Sequence, residues 1–293
     1  MSTIFSLTHR NLKLFYRNKS LVFFSFLSVF IILGLYVLFL SEIQITNIQS
    51  EIGQVEGIDA LIYAWMLPGV IAVASLTLSL GNLGQLVDDE EDKTLLDFLV
   101  SPMKRSQLIL SYLFSSIFIS IVILLVMFGV SIVIVYLKGG ALLKGDQIAQ
   151  ALMVIFLLII SSSLTSLLLA SFVKSQNTYG VVNTLVGTFI GFVTGAYMPM
   201  GIMPIMVQNT FNILPVSMGA SLLRQIFLRD VMANVFAQAP AIYVSEYRYF
   251  QGIDLKVLGH ILKPNFMAMM LFIYIVILFL LNLWRFSKLN QRV

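Results

Sequence analysis

The chain has 293 residues, of which 59% are hydrophobic and 11% charged, against roughly 25% charged in an ordinary soluble domain. A water-soluble core of this length cannot hide that much apolar surface, so the chain is expected to be an all-α membrane protein. Cysteine is absent and His9 and His260 lie far apart, which excludes disulfides and thiolate sites and leaves no catalytic, cofactor-binding or metal-binding residue to nominate. The net charge of +4 comes from cations scattered beside apolar runs, where they anchor membrane flanks; nucleic acid is not expected as a partner.

Residues 1–19 interleave His9, Arg10, Lys13, Arg17 and Lys19 with Ile4, Phe5, Leu7, Leu12, Leu14 and Phe15, the pattern of a basic amphipathic helix at the cytoplasmic membrane surface. The run 21–40 has no charged residue and is long enough to span, since a bilayer core needs about 20 apolar residues. It is too long for a signal peptide. Glu42, Glu51, Glu56 and Asp59 follow without Lys or Arg, a loop expected outside. A second span, 60–87, carries Pro68 and returns the chain to the cytoplasm, where residues 88–105 form its most polar stretch. Spans are then expected at 107–137, 148–173 and 178–197. Residues 198–223 remain apolar but are broken by Pro199, Gly201, Pro204, Pro215 and Gly219, which suits a re-entrant hairpin on the outer side better than a straight helix. A mixed polar outer loop over 224–263 and a sixth span over 266–284 complete the chain. Under this topology both termini are cytoplasmic, with Arg10, Lys13, Arg17, Lys19, Lys93, Lys104, Arg105, Lys174, Arg285, Lys288 and Arg292 inside, a bias of the sign the positive-inside rule requires.

Within 88–105, an acidic run is followed by Leu95, Leu96, Phe98 and Leu99 and closes on Ser101 and Pro102. A short amphipathic helix of this kind has only the membrane or a partner against which to bury its face. The segment resembles the coupling helix of type-2 ABC exporter permeases, through Glu90, Glu91, Lys93, Thr94, Leu95, Leu96, Asp97, Leu99, Ser101, Pro102, Lys104 and Arg105. Lys93-Thr94 stands where that family often has Gly-Thr. A second resemblance is the Tyr197-Met198-Pro199 element with Pro204 and then Leu214-Pro215. The resemblance implies a bacterial cytoplasmic-membrane exporter subunit that works with an ABC ATPase in two copies and with a second permease protomer, identical or related. ATP and Mg would reside on the ATPase, and this chain would bind neither. The sequence agrees in one respect: no Gly-x-x-x-x-Gly-Lys-Ser/Thr loop occurs anywhere in it.

Gly187, Gly191 and Gly195 recur at spacings of four, a flat helix face suited to close packing or to a protomer interface. No Asp, Glu, Lys, Arg or His falls inside the expected spans, which disfavours an ion-coupled carrier with its own relay. Hydroxyls and amides such as Ser79, Ser162, Ser163, Gln208 and Asn212 are the polar groups available, many of them expected only to bond backbone or neighbouring helices. A path built of Met, Phe, Ser and Asn suits an amphipathic drug, antibiotic, peptide or lipid-like molecule. A nucleotide-independent channel or secondary carrier is the competing expectation, and a membrane enzyme is weaker still, because no histidine accompanies the one acidic cluster.

Overall fold

The computed structural model describes residues 2–52, 57–94 and 104–288. Helix α1 (Ser2–Arg17) buries Leu7, Asn11 and Phe15, a stripe at spacings of four that fixes which face meets the protein. After Asn18 the chain turns into α2 (Lys19–Leu35), widens into a π-helical turn at Tyr36–Leu40, and runs on as α3 (Ser41–Ile52). The expected outer loop after Leu40 is therefore helical as far as Ile52. Glu42 and Glu51 add charge without breaking a helix, and no Gly or Pro interrupts the sequence between Leu35 and Gly53. The Ser41 and Tyr63 hydroxyls share a hydrogen bond (2.8 Å) and both reach the Val37 carbonyl (2.8 and 3.0 Å). They fasten the π turn to the next helix.

That helix, α4 (Ile58–Glu91), is the pillar of the fold and touches α5 (Arg105–Leu137), α6 (Gly145–Ala170), α7 (Gln176–Val193) and α9 (Pro215–Phe227). Among the described residues four helices are long and apolar enough to cross a membrane: α4, α5, α6 and α12 (Pro264–Lys288). Burial separates them. In its most apolar window α4 is 94% buried, α6 56%, α5 39% and α12 17%, so α4 faces protein on all sides while most of the α12 surface is left uncovered by the rest of the chain. Small hydroxyl residues let the central helices approach closely. Ser75 pairs with Ser162 (2.9 Å), Ser79 with Ser163 (3.2 Å), and Ser116 with Ser163 (3.4 Å).

After α7 the chain passes through a 3-10 turn at Met200–Ile202, the short helix α8 (Ile205–Phe211) and a reversal into α9. Helix α9 touches α4, α6 and α12. Gly219 on α9 lies against Leu158 near the middle of α6, so close that a Cβ there would sit 2.3 Å from Leu158 Cδ2. The following stretch, expected as a mixed polar outer loop, holds α10 (Arg229–Val235), α11 (Ala241–Phe250) and a two-stranded antiparallel hairpin, β1 (Lys256–Val257) and β2 (His260–Ile261), in which Lys256 pairs with Ile261 and Val257 with His260. The fold is all-α apart from this hairpin of two residues per strand. Its turn residues Leu258 and Gly259 both have positive φ (49° and 84°), as in the tight turns that match strand twist. The Leu258 N–H donates to Asn209 Oδ1 (2.9 Å), which helps hold a conformation leucine rarely adopts.

Candidate functional site

The two ends of the bundle differ in chemistry, and the end carrying α1 gathers the acidic residues singled out in the sequence. Asp88, Asp89, Glu90 and Glu91 do not open a separate helix as expected; they form the last turn of α4, which ends at Glu91. The chain breaks at Asp92 and Lys93, where Lys93 takes a left-handed φ of 62°. A helix whose N-terminal half is apolar apart from Asp59 in its first turn runs into four acids without a breaker until Lys93, which is why its final turn forms a charged stub. Of the remaining coupling residues, Thr94 is described, whereas Leu95, Leu96, Asp97, Leu99, Ser101 and Pro102 lie outside the described residues.

Around that stub, ties converge from several helices. Arg10 of α1 grips Asp89 in a two-pronged ion pair, Nη1 to Oδ2 at 2.7 Å and Nη2 to Oδ1 at 3.1 Å. The Tyr112 hydroxyl of α5 donates to Asp89 Oδ2, and Gln85 Nε2 to Oδ1 at 3.5 Å. Asp89 is 6% exposed, so its charge is tolerated because these donors replace water. The bond to Asp89 raises the Arg10 guanidinium pKa, against an opposing but smaller effect of burial. Two residues on, Glu91 Oε2 accepts from the Gln176 backbone N–H (2.6 Å) at the start of α7, satisfying one of the donors a helix N-terminus leaves without an intrahelical partner. Ser175 accepts from the Thr178 N–H there as well (3.4 Å). Alongside, Arg285 of α12 donates to the Ser171 carbonyl at the end of α6 (3.0 Å) and lies 4.6 Å over the Phe172 ring. One turn of α4 is thus held to α1, α5 and α7 together.

At the opposite end sits a residue the sequence reading assigned to a polar loop. Arg224, near the C-terminus of α9, is 1% exposed. Its Nε donates to the Trp65 carbonyl (3.1 Å), Nη1 to Gly252 (3.3 Å) and Nη2 to Gly195 (2.8 Å), and the guanidinium lies 5.2 Å over the Trp65 ring. Carbonyls and an aromatic face take the place of water. Gly69 on α4 makes room, since a Cβ there would stand 2.8 Å from Arg224 Nη2. On the same face of α9, Ser217 bonds the Val193 carbonyl (2.9 Å) and Ser221 the Ile253 carbonyl (2.7 Å). The spacing Ser217, Ser221, Arg224 marks one polar stripe in an apolar helix, and that is the signal by which the sequence announces it.

The glycines and prolines of the sequence reading cluster here. Gly195 has φ 62° after α7, and its carbonyl is one of the Arg224 acceptors. Gly191 faces the Tyr197 ring, 2.2 Å from where a Cβ would stand, while Gly187 lies 4.0 Å from Thr77 by the same measure. Pro199 and Pro204 precede the 3-10 turn and α8, and Pro215 opens α9. The amides serve as clips: Gln208 donates to the Met203 carbonyl (2.7 Å) and accepts from the Tyr249 hydroxyl (2.5 Å), and Asn212 donates to the Lys256 carbonyl (2.8 Å). No group of three or more His, Asp or Glu that could hold a metal ion occurs among the described residues.

Comparison with known proteins yields a family match. The family model described as ABC-2 type transporter matches residues 2–228, a stretch that runs from α1 through α9. No curated protein matches the chain.

Proposed function

The chain belongs to the ABC-2 type transporter family, the membrane permeases of ABC transporters, and on that premise we propose that it is the membrane-spanning half of an ATP-driven exporter whose ATPase is a separate polypeptide. Six crossings serve this role: α2 with its π turn, α4, α5, α6, α7 and α12. Helix α7, at 18 residues, reaches about 27 Å, close to the thickness of a bilayer core. The α1 end is cytoplasmic and both termini lie there. The pair formed by α8 and α9 enters and leaves from the outer side.

The observation that carries this reading is the stub of α4. A conformational change is driven only by contacts that differ between two states, so the ATPase must hold the permease at an element joined to the path. Residues 88–105, with Glu90, Glu91, Lys93, Thr94 and Leu95 at their head, provide that handle. The acids at their start, 88–91, are the last turn of the one helix that touches every central neighbour, and the Arg10, Tyr112 and Gln176 ties carry a tilt of that turn into α1, α5 and α7. The functional unit pairs two ATPase subunits with two permease protomers, and its cargo is an amphipathic drug, antibiotic, peptide or lipid-like molecule. The glycine face expected of α7 reduces to Gly187, which lies toward Thr77 of α4, and Gly191, which makes room for Tyr197; Gly195 lies beyond the end of the helix and makes room for Met200.

The test is co-purification of the chain in lipid nanodiscs with ABC ATPase subunits from the same genome, with ATP hydrolysis measured with and without the permease. A stable complex whose hydrolysis changes is expected. Replacing Glu90, Glu91 and Leu95 together by Ala should leave the permease inserted and break the dependence of transport on hydrolysis. Failure to associate with any ATPase would transfer the reading to a nucleotide-independent channel or carrier.

A further inference from the structure

A cavity of about 530 Å³ opens at the hairpin end, walled by the first turn of α4 (Ile58, Leu61), by Val235 and Phe236, by α11 and by β1 and β2. Its volume falls in the range of small-molecule sites. The wall is aromatic: Phe236 packs against Tyr243 and Tyr247 (ring centroids 6.1 and 5.0 Å), and Tyr249 and Phe250 complete it. Neither the ties at the α1 end nor the Arg224 cluster involves these rings.

The charges in the wall are unequally committed. Asp254 is neutralised by Arg248 (2.7 and 2.8 Å) and also accepts from Gln225 (3.2 Å). Lys256 lies 3.9 Å over the Tyr249 ring, so a cation already rests on one of these aromatic faces. Glu246 lines the cavity and forms no ion pair among the described residues. The Tyr247 hydroxyl and Gln251 Oε1, both on wall residues, are buried without a hydrogen-bond partner, and an orphaned buried polar atom in a native wall calls for an occupant or water. Burial pushes the Tyr247 hydroxyl pKa up, so it remains a neutral donor.

We propose that this cavity is a binding site for an organic cation, an ammonium carried on an apolar or aromatic body, with Glu246 as counter-charge and the Phe236, Tyr243 and Tyr247 rings as its cation-π and apolar contacts. An anion is the poorer fit, because the unpaired cation, Lys256, is spent on Tyr249 and the free carboxylate would repel it. That the site faces outward rests on the topology proposed above; that it binds does not.

Trp65 provides the reporter, since its Nε1 donates to the Gln251 carbonyl at the wall (2.6 Å) and the chain has one other tryptophan, Trp284. The full chain carrying Trp284→Phe, in nanodiscs without ATPase or ATP, is titrated with benzyltrimethylammonium and, separately, with benzenesulfonate. The expected result is a saturable change in Trp65 fluorescence with the cation alone, weakened about tenfold by Glu246→Gln and unaffected by Glu42→Gln, a substitution of an exposed acid on α3. No saturable change, equal affinity in Glu246→Gln, or stronger binding of the sulfonate would overturn the proposal. None of these outcomes depends on coupling to an ATPase, so the exporter reading stands or falls separately.

Discussion

Replacing Arg10 by Ala removes both prongs of the pair with Asp89 and leaves a carboxylate, 6% exposed, with Tyr112 and a long contact from Gln85 as its remaining donors. Breaking a fully buried pair from one side costs about 3–5 kcal/mol. The Arg10 side chain is 30% exposed, and water can reach the vacated side, so a cost of about 2 kcal/mol is the better expectation. If that cost falls on the docking of α1 against α4 and α5, the undocked population rises about 30-fold. Hydrogen exchange of the backbone amides of Ser2–Arg17 measures it directly, with amides of α6 as the internal control. The Arg10→Ala/Asp89→Asn double variant should lose little beyond the single change, because the stranded charge is gone. An exchange rate in α1 raised less than threefold, or a double variant worse than the sum of its parts, would refute the idea that this pair holds α1 in place.

Arg224→Ala should lower thermal stability by about 3–5 kcal/mol, because the Trp65, Gly195 and Gly252 carbonyls lose their donor inside the protein; Arg224→Lys should recover only part of it, lacking the planar fork. Gly219→Ala should cost about 1–3 kcal/mol by driving a methyl into Leu158, and Leu158→Val in the same chain should return some of the loss. Both are read from melting in detergent. Glu91→Gln keeps an acceptor for the Gln176 N–H but removes the charge at the start of α7, and should destabilise by less than about 1 kcal/mol; a larger loss would mean that Glu91 has a second role.

Much of the architecture is written in runs of apolar residues. Helices α4, α5, α6 and α12 follow from them within a few residues at each end, because a bilayer imposes length and apolarity together. The π turn and α3 do not, since Glu42 and Glu51 look like loop residues and nothing in their chemistry forbids a helix. The acids 88–91 read as the beginning of a new element because composition changes at Asp88; the backbone changes only at Lys93, and charge does not reveal φ. Arg10 and Asp89 are individually visible and collectively not, being separated by 79 positions along the chain. Arg224 reads as a loop cation until its spacing from Ser217 and Ser221 is noticed. The hairpin residues Lys256–Ile261 are too few to carry a period of two.

The enclosure of α4 bears on how the protein is made. Of the four long spans it has the lowest mean hydropathy, 1.9 against 3.2, 2.5 and 2.7 for α5, α6 and α12, yet it is the most enclosed when folding is complete. It is synthesised before α6, α7 and α9, the helices that later surround it. During that interval Ser75 and Ser79 have no Ser162 or Ser163 to meet; in the finished fold their hydroxyls also bond the Ala72 and Ser75 carbonyls (2.7 and 2.8 Å), partners within α4 itself that need no other helix. The least greasy helix thus waits in lipid for its sheath, and biogenesis of the permease is most exposed to failure between the arrival of α4 and that of α6.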